Sequence, residues 1–274
     1  MHANHTSKLI LRYAALTLLA ALIVFPIYAT IVNSLSSPVD VSRGFIGYPR
    51  ALQWDNYSKA WNQGHFSRYL FNSAVVTVAI TIGQVITAIL AAYAFAFLRF
   101  PLRRTLFVGF LLTLMIPGEV TILQNVATIT NLGWKNEFSA LIVPFLASGF
   151  GAFLLRQAFL QLPTELREAA FLDGYGHMRF LWRIVVPLTR PAIAAMGLFA
   201  FLGAWNQYLW PLLVTDIDQR RTVQVGLKQL AAGSVDQITI TYAGTVLAFL
   251  PIAILLIVFS KQLVRGLAAG AVKG

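Results

Sequence analysis

Long apolar runs, each about the length of a membrane crossing, alternate with short polar segments along this chain. We predict six such runs, at residues 9–32, 70–98, 106–128, 138–160, 192–214 and 242–260. An α-helix needs about 20 apolar residues to cross a bilayer, and an open strand would leave backbone groups unpaired in lipid. The pattern therefore predicts an all-α, polytopic membrane protein with six transmembrane helices.

The composition agrees with a membrane location. Of the 274 residues, 58% are hydrophobic and 11% are charged, whereas soluble domains carry about 25% charged residues. The first run follows Lys8 and Arg12, is longer than a signal-peptide core and has no cleavage site close behind it, so we predict that it is retained. We predict one transmembrane domain, 1–274, with a first span and outer segment (1–69), a five-helix core (70–264) and a tail (265–274).

The distribution of basic residues predicts the orientation. One set of connecting segments holds thirteen Lys and Arg residues and the other holds eight. Arg99, Arg103 and Arg104, in a short loop, carry most of this bias. Because cytoplasmic loops are enriched in Lys and Arg, the richer set is predicted to be cytoplasmic, and with it both termini. The net charge of +11 is dispersed along the chain, which argues against a nucleic-acid partner.

One polar stretch, residues 162–191, separates the fourth and fifth runs and falls on the predicted cytoplasmic side. Pro163 and Thr164 are typical of a helix start. Gly174 can adopt the left-handed conformation that ends a helix, and Pro187 is expected to end a second helix. The stretch therefore predicts a helix, a turn and a second helix.

The spacing of residues in this stretch is specific. It reads Glu-Ala-Ala, three residues, Gly, nine residues, Ile, one residue, a hydrophobic residue and Pro, at Glu168, Ala169, Ala170, Gly174, Ile184, Val186 and Pro187. This spacing resembles the EAA loop of ABC-transporter permease subunits. The usual Leu is Val186 here, and Asp173-Gly174-Tyr175-Gly176 stands where Asp-Gly-Ala-Ser is usual.

The resemblance implies a role for the stretch. In that family the loop is a coupling helix that docks in a groove on a cytoplasmic ATPase. It implies a polar contact for Glu168, close approach at Ala169 and Ala170, and a turn at Asp173 and Gly174. The alternative is an amphipathic connector between membrane helices, with no partner.

The fifth run contains a polar interruption. Trp205-Asn206-Gln207-Tyr208, followed by Trp210-Pro211, resembles the Trp-Asn signature of sugar-type permeases. Amides are costly in a membrane unless they face protein or water, and aromatic rings offer flat faces to sugars. Asn206, Gln207 and Tyr208 are therefore candidates for lining a solute pathway. The alternative is helix-to-helix hydrogen bonding by Asn206 and an interfacial belt of Trp205 and Trp210.

Glu119 is the one acidic residue placed inside a predicted run. Intramembrane acids are costly and are often functional. Pro117-Gly118 beside it predicts a broken helix whose freed backbone faces a cavity. Glu119 is either a cavity-lining pathway residue or a group satisfied by a neighbouring helix or by the interface.

Two further segments suggest partners. The outer segment at residues 33–69 carries Trp54, Tyr57 and Trp61, which suit either an interfacial aromatic belt or a docking surface for an external binding protein; a short helix is expected near residues 55–61. The tail at 265–274 resembles the ending of the maltose-type second permease subunits, which implies that it reaches toward the ATPase.

Several kinds of chemistry are missing from the sequence. There is no cysteine, hence no disulfide or thiolate metal site, and the four histidines lie apart, so no metal site is predicted. There is no Gly-x-x-x-x-Gly-Lys-Ser/Thr loop and no catalytic signature. We therefore expect no cofactor and no enzymatic activity in this chain.

Together these features suggest a permease subunit of an ATP-driven ABC importer, similar to the carbohydrate group, in the bacterial inner membrane. The resemblance implies a sugar or sugar-like solute, such as a disaccharide, an amino sugar or a glycerol-phosphate ester. It implies as partners a second permease subunit, two copies of a cytoplasmic ATP-binding subunit and an extracytoplasmic solute-binding protein. The alternative is a secondary, ion-coupled carrier, for which only Glu119 is available.

Overall fold

Helices make up most of the part of the chain that the structure describes, and short non-helical segments connect them. The computed structural model describes residues 3–44, 47–49, 51–62, 65–232 and 237–271. The helices are, in chain order, α1 (Ala3–Ser34), α2 (Pro38–Ser42), α3 (Asp55–Asn62), α4 (Phe66–Phe97), α5 (Arg103–Leu112), α6 (Gly118–Asn131), α7 (Phe138–Ile142), α8 (Gly149–Leu160), α9 (Thr164–Leu172), α10 (His177–Phe180), α11 (Val186–Leu188), α12 (Arg190–Trp205), α13 (Leu209–Val214), α14 (Val223–Ala231) and α15 (Ile238–Ala271). No strand occurs within these described ranges, so the predicted all-α fold is confirmed.

Four to six membrane spans can be assigned by length and composition. Four helical stretches are long and apolar enough to cross: Lys8–Ser34, Phe66–Phe97, Phe138–Leu160 and Ile238–Phe259. Two bent helix pairs also qualify if each is one span: Arg103–Met115 with Gly118–Asn131, bent by 95°, and His177–Leu188 with Arg190–Trp205, bent by 82°. The predicted tail continues α15 as far as Ala271, and its side chains and last three residues lie outside the described part.

The third predicted run is broken where expected. Ile116 is extended (φ −87°, ψ 112°) and Pro117 precedes the first residue of α6. A residue before proline is driven away from helical geometry, so the helix stops and restarts at a new angle. The 95° bend confirms the predicted break at Pro117-Gly118.

The fourth run is interrupted by a 3-10 turn, Val143–Phe145, and restarts at α8. Side chains of α4 donate hydrogen bonds to the backbone carbonyls that this break frees. Gln84 Nε2 donates to Phe145 O (2.9 Å), and Thr87 Oγ1 donates to Leu146 O (2.7 Å). Ser148 caps α8, because its Oγ accepts from Gly151 N at 3.1 Å. The break is therefore a specific, hydrogen-bonded part of the fold and is not fraying at a helix end.

The fifth run is not the continuous helix that the sequence suggested. α12 ends at Trp205 and α13 begins at Leu209. Asn206 stops α12 by its amide: Nδ2 donates to Leu202 O at 2.9 Å, as the backbone N of Asn206 does at 3.1 Å. The polar triplet predicted to lie inside a span thus forms a non-helical joint.

By its internal contacts the chain divides into two compact units, Met1–Ser67 with Gly226–Leu250 and Arg68–Val225 with Pro251–Gly274. In the first unit the predicted short outer helix is present as α3. Asn56 Nδ2 donates to Ser34 O (2.9 Å) and Ser36 O (3.1 Å), and Tyr57 Oη lies 2.7 Å from Ser34 Oγ. These bonds tie α3 to the end of α1.

The second unit contains two buried clusters. One surrounds Phe159, Phe180 and Leu181 and joins the ends of α4 and α8 to α9–α12. The other surrounds Ile80, Leu141 and Val214 and joins α4, α6, α7 and α13. Burial of these side chains supplies the main stabilising free energy of such packing within one subunit.

The two tryptophans of the Trp-Asn signature belong to this interior. Trp205 is 2% exposed and Trp210 is 7% exposed, and Trp210 Nε1 donates to Ala140 O at 3.0 Å. The interfacial-belt interpretation of these two residues is therefore wrong, because a belt tryptophan keeps its ring at the membrane surface.

Candidate functional site

The segment spanning residues 164–188 forms the predicted helix, turn and helix. α9 begins at Thr164 with Pro163 at the N-cap, and Glu165 lies in the first turn, where the helix dipole favours negative charge. α10 begins at His177 after the extended residue Gly176. The start signals read from the sequence are therefore confirmed.

The turn between α9 and α10 is a Schellman motif. Tyr175 N donates to Ala170 O (2.9 Å) and Gly174 N donates to Phe171 O (3.1 Å), which are the two bonds of that motif. Gly174 has φ +75°, a conformation that side-chain-bearing residues adopt only with strain. Asp173 precedes it as the C-cap. The predicted role of Asp173-Gly174 in the turn therefore matches the observed geometry.

α9 has one buried face and one open face. Ala170 is 4% exposed and lies in the cluster with Phe180 and Leu181. Glu168 and Ala169 are exposed, and Leu172 is 89% exposed. Glu168, Ala169 and Leu172 therefore lie on a face of α9 that the described part of this chain leaves uncovered.

Aromatic contacts join this segment to α4. Tyr93 Oη lies 2.9 Å from His177 Nδ1, and the His177 ring meets Phe171 edge-on at a centroid distance of 5.3 Å. The guanidinium carbon of Arg179 lies 4.2 Å from the centroid of the Tyr175 ring. Tyr93 and His177 were not predicted from the sequence, although the departure at Tyr175-Gly176, where Ala-Ser is usual, immediately precedes His177.

The second helix does not end at Pro187. Residues Leu181–Val185 form a π-helix, and the chain stays helical to Leu188. Proline lacks an N–H and disrupts an ordinary helix interior. Here it falls in the first turn of α11, where that N–H is not needed. The chain turns instead at Thr189, whose Oγ1 donates to Val185 O at 2.7 Å, so the predicted terminator is wrong by two residues.

A cavity of about 240 Å³ lies at the joint in the fifth run. We call it the Gln207 cavity. Its walls combine amides and a hydroxyl with aromatic rings, from Gln84, Ser148, Phe150, Phe199, Gly203 and Gln207. Phe150 and Phe199 meet edge-on at 5.9 Å. Gln207 Oε1 is buried and has no hydrogen-bond partner among the described residues.

The other predicted pathway residues are placed differently. Asn206 is exposed and caps α12, with Gln224 Nε2 at 3.4 Å from its Oδ1. Tyr208 is half-buried just before α13. Glu119 is exposed in the first turn of α6 and is not among the side chains that line the Gln207 cavity. Gln84 and Ser148 were missed, although a glutamine inside an apolar run is a visible signal.

Comparison with known proteins agrees with the fold. Residues 84–269 match the profile of the family described as binding-protein-dependent transport system inner membrane component. The chain belongs to this family. It is therefore a membrane-spanning permease subunit of an importer, and the alternative of a self-sufficient ion-coupled carrier is not supported.

Individual relatives are similar along most of their length. The sn-glycerol-3-phosphate transport system permease protein UgpE of Yersinia pestis (strain Antiqua) is 37% identical over 258 residues, covering 90% of this chain and 91% of the relative. The protein of that name from Agrobacterium fabrum (strain C58) is 35% identical over 280 residues, covering 97% and 98%. Both are named as transport permeases, which agrees with the prediction of a translocation subunit.

A solved structure shows the same fold. A chain of a bacterial ABC transporter involved in the import of the acidic polysaccharide alginate superimposes with a TM-score of 0.82, covering 92% of this chain and 95% of that one, at 23% identity. Membership of this family implies an ATP-binding partner, a solute-binding partner and a multi-pass location in the inner membrane.

Proposed function

We propose that this chain passes the motion of a separate, cytoplasmic ATP-hydrolysing subunit into its membrane spans through α9, and so opens a path for a small hydroxylated solute. The observation that carries the proposal is the open face of α9. Glu168, Ala169 and Leu172 face outward, while Ala170 holds the helix against the subunit's core. A firmly seated helix with an open polar and apolar face suits rigid-body transmission of force.

The orientation and the partners follow from this proposal. α9 lies on the cytoplasmic side, where ATP is, and both termini lie there with it, in line with the excess of Lys and Arg in those segments. The full transporter contains a second permease subunit, two copies of the ATP-binding subunit and an extracytoplasmic solute-binding protein. The aromatic outer segment contributes to the surface that receives the binding protein.

The solute pathway includes the Gln207 cavity. Its walls offer amide and hydroxyl groups beside two phenylalanine rings, a combination that suits a ligand with hydroxyl groups on an apolar carbon frame. The names of the relatives favour a glycerol-phosphate ester, within the sugar-like class expected from the sequence. Asn206, Tyr208 and Glu119 are secondary candidates, because they are exposed or half-buried at breaks in the helices.

The coupling role is tested by reversing one charge on α9. In the transporter assembled with its partner subunits, we expect Glu168→Arg to abolish ATP-driven uptake of sn-glycerol-3-phosphate while the subunit still reaches the membrane. Glu137→Arg is the matched control, because Glu137 is also an exposed acid but lies outside α9, and its exposed ion pair with Arg220, at 3.6 Å, contributes little to stability. Equal uptake by the two variants would contradict the role of α9.

The solute is tested separately. Purified solute-binding protein from the same transporter is titrated with sn-glycerol-3-phosphate and with maltose in a calorimeter. Binding of the phosphate ester supports the proposed solute; binding of maltose alone leaves the coupling role intact and replaces the solute.

A further inference from the structure

Three arginines gather at one end of the membrane-spanning helices. They line a cleft of about 330 Å³, which we call the arginine cleft, together with aromatic and aliphatic side chains: Arg103, Arg104 and Arg156, with Phe95, Phe107 and Leu111. The cleft lies where α4 ends, α5 begins and α8 nears its end. Side chains from these three helix ends line one cleft. The three ends therefore lie on the same side of the bilayer.

The positive charge of the cleft has no protein partner in the part of the chain described. The ion pairs found there join Lys135 to Asp216, Arg220 to Glu137 and Arg221 to Asp218, so no carboxylate of the described residues lies within 4 Å of the cleft's guanidinium groups. The first turn of α5 contains no acidic residue either, and its dipole adds further positive potential. Three neighbouring positive charges repel one another, so an anion bound among them would be stabilised.

The guanidinium groups are oriented but not saturated. Arg156 Nε donates to Phe95 O at 3.2 Å, and its guanidinium carbon lies 4.2 Å from the centroid of the Phe107 ring. Arg103 Nη1 donates to Leu98 O at 2.9 Å. Each guanidinium carries five N–H donors, and among the described residues one hydrogen bond is found for each of these two. The remaining donors form a fork suited to phosphate oxygens.

We propose that the arginine cleft binds the headgroup of an anionic phospholipid. The phosphate lies against the three guanidinium groups, and an acyl chain follows the apolar face of α5. That face is open beside the cleft: Leu106 and Val108 are about half exposed. The charge selects an anion, and the adjoining apolar face selects one that carries a hydrocarbon chain, which a free phosphate lacks. Basic pockets between membrane helices recognise such headgroups.

The test compares two arginines of the same loop. Arg99 and Arg104 are both exposed, but only Arg104 lines the cleft. The assembled transporter is placed in nanodiscs of phosphatidylcholine and phosphatidylglycerol in equal amounts, and the lipids it retains are counted by native mass spectrometry. We expect Arg104→Glu to lower phosphatidylglycerol retention by at least about fivefold, the factor for one basic side chain near an anionic headgroup. Arg99→Glu should stay within about twofold of the wild type, because exposed charges at a distance are screened.

A second variant removes the deeper groups. The double variant Arg103→Ala with Arg156→Ala should lose the retained phosphatidylglycerol. Thermal unfolding in detergent checks that this variant is folded. If the double variant does not fold, the comparison of Arg104→Glu with Arg99→Glu decides the test. Equal retention by Arg104→Glu and Arg99→Glu would overturn the proposal. The chain has no cysteine of its own, so Arg104→Cys gives a single attachment point for cross-linking. The proposal would also be overturned if this cysteine cross-links to an ATP-binding subunit and the transporter retains no excess of phosphatidylglycerol.

Discussion

Tyr93 Oη lies 2.9 Å from His177 Nδ1 and thereby joins the last turns of α4 to the first residue of α10. The His177 ring also packs edge-on against Phe171 of α9, and Tyr93 lies 6.4 Å from Phe180 between ring centroids. A displacement of α9 therefore reaches α4 through one hydrogen bond and a set of packed rings. Packed interiors shift between discrete arrangements rather than deform, so in the mechanism proposed above this contact is where motion of α9 passes to a membrane span.

We predict that Tyr93→Phe loosens this path without removing the ring packing. One hydrogen bond contributes about 1 kcal/mol, so solute imported per ATP hydrolysed should fall about fivefold. The measurement is uptake and ATP hydrolysis by the reconstituted transporter. Tyr13→Phe is the control, since Tyr13 is an exposed tyrosine of another helix. A proportional fall in uptake and hydrolysis would indicate a merely structural role for the bond.

Two glycines of the turn after α9 provide a matched pair. A Cβ added at Gly174 or at Gly176 would meet no atom within 4 Å, but only Gly174 has a positive φ, +75°. We predict that Gly174→Ala lowers the free energy of unfolding by about 1–2 kcal/mol and weakens uptake, whereas Gly176→Ala leaves both unchanged. Thermal unfolding in detergent and uptake assays provide the comparison. Equal effects of the two substitutions would mean that the backbone conformation of Gly174 is not what the turn requires.

Local signals in the sequence predicted much of this architecture. The break at Pro117 and the turn at Gly174 follow from the chemistry of single residues, because proline and glycine restrict or extend backbone freedom wherever they stand. The apolar runs predicted the spans for the same reason: their length alone decides whether a helix can cross lipid. Pro163 and Thr164 likewise predicted the start of α9, and Gly174 predicted its end.

Features that depend on a distant partner could not be read in this way. Pro187 does not end its helix, because a π-helical stretch before it places the ring in a new first turn. The break in the fourth run depends on Gln84 and Thr87, which lie about 60 residues earlier and donate hydrogen bonds to its freed carbonyls. The burial of Trp210 depends on a carbonyl of α7. These features depend on which helix faces pack against each other. The pattern of hydrophobic residues along the sequence does not specify that packing.

Trp210 allows the interior contact to be tested directly. Its Nε1 donates to Ala140 O in a buried setting, so Trp210→Phe leaves a buried carbonyl without its donor and opens a small void. We predict a loss of about 2 kcal/mol in the free energy of unfolding. Trp54→Phe is the control, because Trp54 is 64% exposed and should change stability by less than about 0.5 kcal/mol. Equal melting temperatures for the two variants in detergent would contradict the buried bond.

Gln207 can be used to separate a pathway role from a structural one. Its Oε1 is buried without a hydrogen-bond partner among the described residues and borders the Gln207 cavity. A buried, unpaired amide oxygen is destabilising, so Gln207→Leu should leave the unfolding temperature unchanged or raise it. If that oxygen instead receives a hydroxyl of the passing solute, the same substitution should raise the apparent KM for uptake by roughly tenfold. Uptake is then impaired while stability is not, a combination that a purely structural glutamine does not produce. Uptake kinetics in vesicles and thermal unfolding in detergent give both values, and unchanged uptake in a variant of normal or raised stability would remove Gln207 from the pathway.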